Sequence, residues 1–237
     1  MSSDASALKR AAAARALEFI RSGMKLGLGT GSTVDFFLEL LAEQIRNGLQ
    51  IIGTPTSERT SQMARDLRIP MADLNDLEHL DLVVDGADEA DASLDLIKGG
   101  GGALLREKIV AASADRMIVI ADEGKFKTRL GAFPLPVEVV PFGHLTTRAR
   151  IIAAAGACGY PALNPLLRRR SDGADFQTDS GNLIYDCPFV EIHDAPRLAA
   201  ALSSIAGAVE HGLFCGLAST LVLAGAGGVR MIERARP

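Results

Sequence analysis

Hydrophobic and polar positions over residues 24–122 alternate between short apolar runs and amphipathic stretches with helical spacing. The apolar runs are "MKLGLGT", "LQIIGTP", "LDLVVDGAD" and "RMIVIAD", and the helical stretches between them include "STVDFFLELLAEQIRNG" and "SERTSQMARDLR". Runs that are apolar on both faces and separated by helices are typical of a parallel sheet covered on both sides. We therefore predict a doubly wound, mostly parallel, Rossmann-like α/β sheet, which binds ligands beyond the carboxyl ends of its strands.

The pattern changes after Gly131. Strands are predicted in "FPLPVEVVPF", around "ALNPLLRRR" and in "VEHGLF", helices in "HLTTRARIIAAAGACG" and "APRLAAALSSIAG", and a hairpin in "DFQTDSGNLIYD" that turns at residues 180–182. This order matches the ferredoxin-like split unit. We predict a small inserted α+β ferredoxin-like domain at 131–208. Residues 1–130 and 209–237 then form the Rossmann-like catalytic domain, to which "STLVLAGAGGVRMIER" contributes one or two strands.

Composition and charge narrow the class of protein. Of the 237 residues, 48% are hydrophobic and 23% charged, the net charge is −4, and no basic tract is longer than Arg168-Arg169-Arg170. We interpret that triplet as a solvated strand end and expect no nucleic-acid partner, which would need clustered basic residues. The three cysteines show no C-x-x-C spacing. Without an apolar signal-peptide core or a run of about 18 apolar residues, the chain is expected to be soluble, cytoplasmic and independent of membranes.

The loop "GLGTGST", residues 27–33, lies between a predicted strand and a predicted helix. Its glycines allow a tight turn with exposed N–H groups, and Ser32 and Thr33 add hydroxyls at the helix N-terminus, where anions bind. A dinucleotide fingerprint fits badly because no acidic residue follows about 20 positions later, and the lysine of a Walker A loop is missing. The loop is therefore a site for a single phosphate monoester or a purely structural turn.

The stretch "DGADEAD", residues 85–91, follows another apolar strand. Asp85 and Asp88 lie where that strand leaves the sheet, so their carboxylates suit hydrogen bonds to sugar hydroxyls. A turn that uses aspartate and glycine for their backbone freedom is the structural alternative. The order of acidic residues excludes a calcium loop, whereas a magnesium site stays open on carboxylate count.

The stretch "IKGGGGALLREKIV", residues 97–110, places Lys98 and four glycines before a helix that carries Glu107. A glycine run at a helix start can form a nest of N–H groups for anions or oxyanions. The helical neighbours of Glu107 are small or apolar, so it has no local salt bridge and is expected to face inward. Burial would raise its pKa, as a general base requires. The alternative is a glutamate on a solvated flank with a packed stem.

The stretch "ADEGK", residues 121–125, follows the last strand of the alternating region. Lys125 is placed at the same edge of the sheet as the other three stretches. It could neutralise a phosphate there, or it could be an ordinary surface lysine.

Taken together, "GLGTGST", "PTSERT", "VDGADEAD", "KGGGGALLREKIV" and "ADEGK" resemble ribose-5-phosphate isomerases of type A. The likeness extends to "FPLPVEV" and "GLF", so it spans nearly the whole chain. The resemblance implies interconversion of D-ribose 5-phosphate and D-ribulose 5-phosphate in the non-oxidative pentose phosphate pathway, without metal or organic cofactor. It also implies a homodimer or a tetramer.

The resemblance also implies roles for single residues. Glu107 would be the proton acceptor between C2 and C1, through an enediolate, Lys98 would stabilise the oxyanion, and Asp85 would assist ring opening. Lys9 is a further candidate contact. The substrate-binding positions implied are Thr30, Gly31, Ser32, Thr33, Asp85, Gly86, Ala87, Asp88, Lys98, Gly99, Gly100, Gly101 and Lys125.

The residues alone leave three rival functions open. A sugar-phosphate sensor on the same fold would need a DNA-binding module, for which the chain has no spare segment. A coenzyme A transferase could use Glu107 as nucleophile but would need a larger second domain. A Schiff-base aldolase could use Lys98, and borohydride trapping would reveal it.

Overall fold

The computed structural model describes the backbone of residues 2–234 and the side chains of residues 5–234. In chain order, the first part forms α1 (Ser2–Leu17), β1 (Lys25–Leu28), α2 (Ser32–Arg46), β2 (Ile52–Pro55), α3 (Glu58–Asp66), α4 (Leu74–Leu77), β3 (Leu82–Asp85), β4 (Glu89–Ala90), β5 (Leu96–Ile97), α5 (Leu104–Ala112) and β6 (Met117–Asp122). A 3-10 helix (Glu123–Lys125) follows, and then β7 (Leu135–Val139), α6 (His144–Ala157), β8 (Leu166–Leu167), β9 (Leu183–Cys187), α7 (Ala195–Ser203), β10 (Ala208–His211), β11 (Leu213–Phe214), β12 (Thr220–Gly225) and β13 (Gly228–Glu233).

The main sheet has six strands in the order β13-β12-β6-β3-β1-β2, and all neighbours are parallel except the edge pair β12 and β13. Alternate residues of its strands pack into two different cores, as the side-chain period of two requires. Val84 and Ile120 face the helices α1 and α2, whereas Val83 and Val119 face α5. The prediction of a doubly wound α/β sheet, buried on both faces, is confirmed.

The strand order places a topological switch point between β1 and β3. From β1 the chain moves outward to the edge strand β2, and then returns to the other side of β1 to form β3. Helices on opposite faces leave a crevice at such a point, beyond the carboxyl ends of the two strands. The loops after β1 and β3, which carry "GLGTGST" and "DGADEAD", therefore meet there.

A second, four-stranded antiparallel sheet has the order β10-β7-β9-β8 and is covered by α6 and α7. Its chain order of strand, helix, two strands, helix and strand is the predicted ferredoxin-like unit. Its last strand, Ala208–His211, begins at residue 208, where we place the end of the small domain, so three of its four residues lie beyond that bound. A third sheet of two-residue strands, β11-β5-β4, was not anticipated.

The predicted strand "VEHGLF" is in fact two strands in different sheets, and Gly212 separates them. The Gly212 carbonyl accepts a hydrogen bond from the Lys98 N–H at 2.9 Å, and its own N–H donates to Pro136. A side chain at this position would lie 2.2 Å from the Lys98 carbonyl oxygen. Only glycine allows the chain to pass between the two sheets at such close range.

The predicted hairpin in residues 175–186 is formed only in part. A turn is present, because the Thr178 N–H donates to the Asn182 carbonyl, but β9 pairs with β7 and β8 instead of with an arm at 175–179. The polar side chains of that arm are engaged elsewhere, since Thr178 and Asn182 both donate to the buried Glu138. These contacts favour a turn over a second strand.

The arginine triplet is not uniformly solvated. Arg169 and Arg170 are exposed strand-end residues, as predicted, with side chains 60% and 59% exposed. Arg168, in contrast, is 13% exposed and lies between β9 and the glycine run at residues 99–102. Within residues 2–234, none of the helices combines the length and apolar character needed to cross a membrane.

Candidate active site

A cavity of about 440 Å³ opens at the switch point, beyond the carboxyl ends of β1 and β3. Its wall brings together segments that are distant in sequence, from α1 to the 3-10 helix that follows β6. All the predicted binding positions except Asp85 line it, namely residues 30–33, 86–88, 98–101 and 125. Lys9 lines it too, with Ala121 and Asp122 of "ADEGK" and with Ala5 and Leu8, two residues that the motifs did not identify.

Lys98 is the centre of a buried charged group at the base of this cavity. Its Nζ lies 3.0 Å from Asp85 Oδ2 and 3.1 Å from Glu107 Oε1, and it donates to the Gly86 carbonyl at 2.6 Å. The exposed fractions are 2% for Lys98, 0% for Asp85 and 4% for Glu107. Lys98 forms part of the cavity wall, whereas the two carboxylates lie behind it and do not line the cavity.

One ammonium group cannot compensate two buried carboxylates, and the pKa values reflect this. Burial raises the pKa of Glu107 to about 8; Lys98 opposes the rise, and the charge of Asp85 adds to it. The pKa of Asp85 is also raised by burial, against the pull of Lys98. Burial lowers the pKa of Lys98, but Asp85 and Glu107 more than reverse this, so its pKa lies above the ordinary value.

Glu107 keeps one oxygen free. Its Oε1 accepts from Lys98, while its buried Oε2 has no hydrogen-bond partner among the described residues. The cost of leaving a buried polar atom unpaired is about 1–3 kcal/mol. Among the described side chains Glu138 Oε2, away from the cavity, is unpaired too, so the free oxygen of Glu107 is informative only together with its position beside Lys98. A carboxylate with a raised pKa and a free oxygen is suited to accepting a proton.

The four glycines allow the backbone of residues 99–102 to lie close to the cavity and to the side chains around it. The Gly100 N–H donates to Asp88 Oδ2 at 2.7 Å, and a side chain at Gly100 would lie 2.6 Å from the same carboxylate. Gly99 and Gly102 have φ of +100° and +82°, which side-chain-bearing residues rarely adopt. The glycine run is therefore required by both backbone conformation and close approach.

The loop after β1 is fixed by Asp85 from the neighbouring strand. Asp85 Oδ1 accepts from the N–H groups of Thr30 and Gly86, at 3.0 and 2.7 Å. A side chain at Gly29 would lie 2.2 Å from the same oxygen, so only glycine fits there. Asp85 thus joins the loop after β1 to the loop after β3.

The N-terminus of α2 faces the cavity. Gly31 precedes the helix with φ of +130° and supplies no side-chain cap, so the first N–H groups of the helix are available to a ligand. Ser32 and Thr33 begin the helix, and Lys9 donates to Ser32 Oγ at 2.8 Å. Lys125 lies at the same cavity. A helix N-terminus with two nearby lysines favours an anionic group.

A cluster of hydroxyl groups supports Thr30 and was missed by the site prediction. Thr30 Oγ1 lies 2.8 Å from the hydroxyls of Thr56 and Ser57 and 3.1 Å from that of Thr60. Thr60 also donates to the Gly29 carbonyl, and Ser57 caps α3. The signal was available in "PTSERT", a strand end followed by a run of hydroxyl and charged residues.

The carboxylates of "DGADEAD" have different partners. Asp85 faces Lys98, and Asp88 accepts from Gly100. Glu89 is buried and accepts from the N–H groups of Gly131 and Phe133, at 2.7 and 2.8 Å, so it fixes the chain where the second sheet begins. The stretch therefore combines site residues with a structural one.

This chain is similar in sequence to known proteins along nearly its whole length. The model of the family described as Ribose 5-phosphate isomerase A (phosphoriboisomerase A) matches residues 52–228. A protein of Rhodopseudomonas palustris (strain TIE-1) named Ribose-5-phosphate isomerase A is 59% identical over 235 residues, which are 98% of this chain and 100% of that protein.

The fold is also similar to that of solved structures. Ribose 5-phosphate isomerase from Plasmodium falciparum has a TM-score of 0.92 at 34% identity and covers 98% of this chain and 100% of its own. A D-ribose-5-phosphate isomerase in complex with phospho-erythronic acid has a TM-score of 0.89 at 37% identity, covering 96% of this chain and 98% of its own.

Proposed function

Because this chain belongs to the ribose 5-phosphate isomerase A family and is an isomerase of ribose 5-phosphate, we propose that Glu107 carries the proton between the two carbon atoms that exchange oxidation state. The observation that supports this role most strongly is the buried Lys98 between Asp85 and Glu107, with Glu107 Oε2 left free. In the open-chain aldose, Glu107 removes the proton on C2 and the C2 electrons form the double bond of an enediolate. Return of that proton to C1, with transfer of the O2 proton to O1, gives ribulose 5-phosphate.

Lys98 and the glycine backbone stabilise the charge that develops on the oxygens. The Lys98 Nζ is at the cavity wall, and its two carboxylate neighbours keep it charged. Donors fixed before the reaction need no reorganisation, and removing one such donor in other enzymes costs about 10²–10³ in turnover. A charged Lys98 also argues against the Schiff-base alternative, which requires a neutral amine as nucleophile.

The phosphate of the substrate is assigned to the N-terminus of α2 and the sugar to the side of Asp88. Helix N–H groups and nearby lysines favour a phosphate, and carboxylates accept from sugar hydroxyls. The related solved isomerase is in complex with phospho-erythronic acid, a phosphorylated sugar acid. The same compound is therefore the ligand of choice for binding tests on this chain. Asp85 assists ring opening in this scheme.

The wider setting follows the family resemblance. We propose that the reaction serves the non-oxidative pentose phosphate pathway in the cytoplasm, without a metal or an organic cofactor. We also propose that the chain divides into a catalytic domain (1–130 and 209–237) and a small domain (131–208). It assembles as a homodimer or tetramer in the same proposal.

A coupled assay for ribulose 5-phosphate, run with excess EDTA over a range of pH, tests this function. We expect activity to survive EDTA, and catalytic efficiency to fall about tenfold per pH unit below a pKa of about 8, because the base must be ionised in the free enzyme. Activity abolished by EDTA would mean that the carboxylates hold a metal. No activity, with ribose 5-phosphate still raising the Tm, would favour the sensor.

Lys125→Ala tests the phosphate side. We expect the Michaelis constant for ribose 5-phosphate to rise roughly tenfold with a smaller loss in turnover, because a hydrogen bond to a charged group stabilises the bound substrate and transition state alike. The matched control is Lys127→Ala, since Lys127 is partly exposed and does not line the cavity. A loss confined to turnover would contradict a phosphate role for Lys125.

A further inference from the structure

Arg168 lies at the point where the second sheet meets the glycine run. Its Nη1 donates to the carbonyl oxygens of Gly99 and Gly100, at 2.8 and 3.2 Å. On its other side, Nε and Nη2 donate to the two oxygens of Asp186, at 2.9 and 2.5 Å. The guanidinium group is thus fixed by a bidentate carboxylate, the arrangement that orients arginine most firmly.

Because peptide units are planar, the contact of Arg168 with the two carbonyls also fixes the direction of the N–H groups at the cavity. In a trans peptide the carbonyl and the N–H of the same unit point in opposite directions. When Arg168 holds the carbonyls of Gly99 and Gly100, the N–H groups of Gly100 and Gly101 must point away from it. The Gly100 N–H indeed meets Asp88 at the cavity, and the Gly101 N–H has no acceptor in the described part of the chain.

Glycine alone would not keep that orientation. Four consecutive glycines have no side chains to restrict their backbone, and each samples many conformations. Phe176 packs against the same segment, because a side chain at Gly102 would lie 2.4 Å from its ring, and Arg168 stacks over that ring with its guanidinium carbon 5.7 Å from the centroid. Within the run, the Gly102 N–H donates to the Gly99 carbonyl at 3.0 Å, and Arg168 and Phe176 add restraints from outside the run.

We propose that Arg168, held by Asp186, is a positioning residue for the isomerase reaction: it fixes the peptide planes of the glycine run so that the N–H groups of Gly100 and Gly101 face the sugar end of the substrate. This inference rests on the proposed function, since it assigns the glycine run to the enediolate side of the cavity. Arg168 does not line the cavity and acts through the backbone it holds.

The test compares Arg168→Ala and Arg168→Lys with Arg169→Ala in the full chain. Arg169 is a matched control, because its side chain is 60% exposed and its polar contacts in the described structure are to Gly173 and Asp175. We expect Arg168→Ala to lower turnover about 100-fold, the size of effect that a misplacement of about 1 Å produces. Lysine cannot bridge two carbonyls and a carboxylate, so Arg168→Lys should rescue little, whereas Arg169→Ala should match the wild type.

Binding separates positioning from general damage. We expect Arg168→Ala to weaken phospho-erythronic acid binding roughly tenfold or more and to leave inhibition by inorganic phosphate within about twofold, because the N-terminus of α2 does not depend on Arg168. Equal weakening of both ligands, or an unchanged turnover, would overturn the proposal. If the alanine variant does not fold, Arg168→Lys and Asp186→Asn replace it. The same two quantities then decide: the loss in turnover, and the weakening of phospho-erythronic acid binding relative to that of inorganic phosphate.

The outcome also distinguishes this inference from the proposed function. If the wild type is active and Glu107→Gln is inactive while Arg168→Ala keeps full turnover, the inference fails and the mechanism stands. If Glu107→Gln keeps wild-type turnover, the mechanism itself fails.

Discussion

Glu107→Gln should lose roughly 10²–10⁴-fold in turnover of ribose 5-phosphate while still binding phospho-erythronic acid. The amide has nearly the shape of the carboxylate and keeps an oxygen to accept from Lys98, but it cannot accept the C2 proton, and general-base catalysis is worth about that factor. The measurement is the coupled assay together with calorimetric titration of phospho-erythronic acid. Glu43→Gln, on the exposed side of α2, is the matched control and should behave as the wild type.

The same variant should melt at a higher temperature than the wild type. Burial raises the pKa of Glu107 to about 8, from 4.5 in the unfolded chain, so the folded state binds a proton that the unfolded state releases between those values. This difference costs stability that grows as the pH rises from about 4.5 to 8 and is constant above. The Tm advantage of glutamine should widen over that window. A Tm gap that is independent of pH would show that Glu107 titrates normally.

Lys98→Met should remove most of both activity and stability. Methionine has a similar length but no charge, so Asp85 and Glu107 would be left buried without a cation, and the Gly86 carbonyl would lose its donor. Breaking a buried ion pair by removing one partner costs about 3–5 kcal/mol. We also expect turnover to fall roughly 100-fold or more, because an oxyanion donor disappears. Urea unfolding and the coupled assay measure the two effects.

The double variant Lys98→Met with Glu107→Gln sharpens this test. If Lys98 compensates the charge of Glu107, removing that charge should recover part of the stability that Lys98→Met loses, although activity stays absent. Lys127→Met is the matched control for the substitution itself. Equal stability of the single and double variants would contradict an electrostatic role for the Lys98–Glu107 pair.

Much of the fold was predictable from local pattern. The length and hydrophobic period of each segment single out one secondary structure for β1, β2, β3 and β6 and for the helices α2, α3 and α6. The strands β4, β5 and β11 have only two residues each, which is too short for any period to show. The hairpin at residues 175–186 was misjudged because the partner of β9 is chosen by the sheet, not by the local turn.

In the candidate site, too, the residues with a local sequence signal could be predicted and those that depend on distant contacts could not. Glycine runs and strand-end carboxylates are local signals, so most of the cavity wall could be predicted, although Ala5 and Leu8 could not. The absence of a helical partner for Glu107 correctly indicated burial, but only the packed structure reveals that its partner is Lys98. The burial of Arg168 could not be predicted, because its partners are Asp186 and two carbonyls about 70 positions away in the sequence.

The contacts between residues 168–179 and the rest of the chain also bear on how the protein folds. The Arg168 contact to Gly99 spans 69 positions, and the Asp179 contact to the Glu58 N–H at the start of α3 spans 121. Contacts between residues so distant in sequence require closure of long loops, which slows folding. The helices and the hairpin of β12 and β13 can form early from neighbouring residues. We expect the contacts that hold the glycine run to form late in folding, after the helices and the hairpin of β12 and β13, because they join residues far apart in sequence.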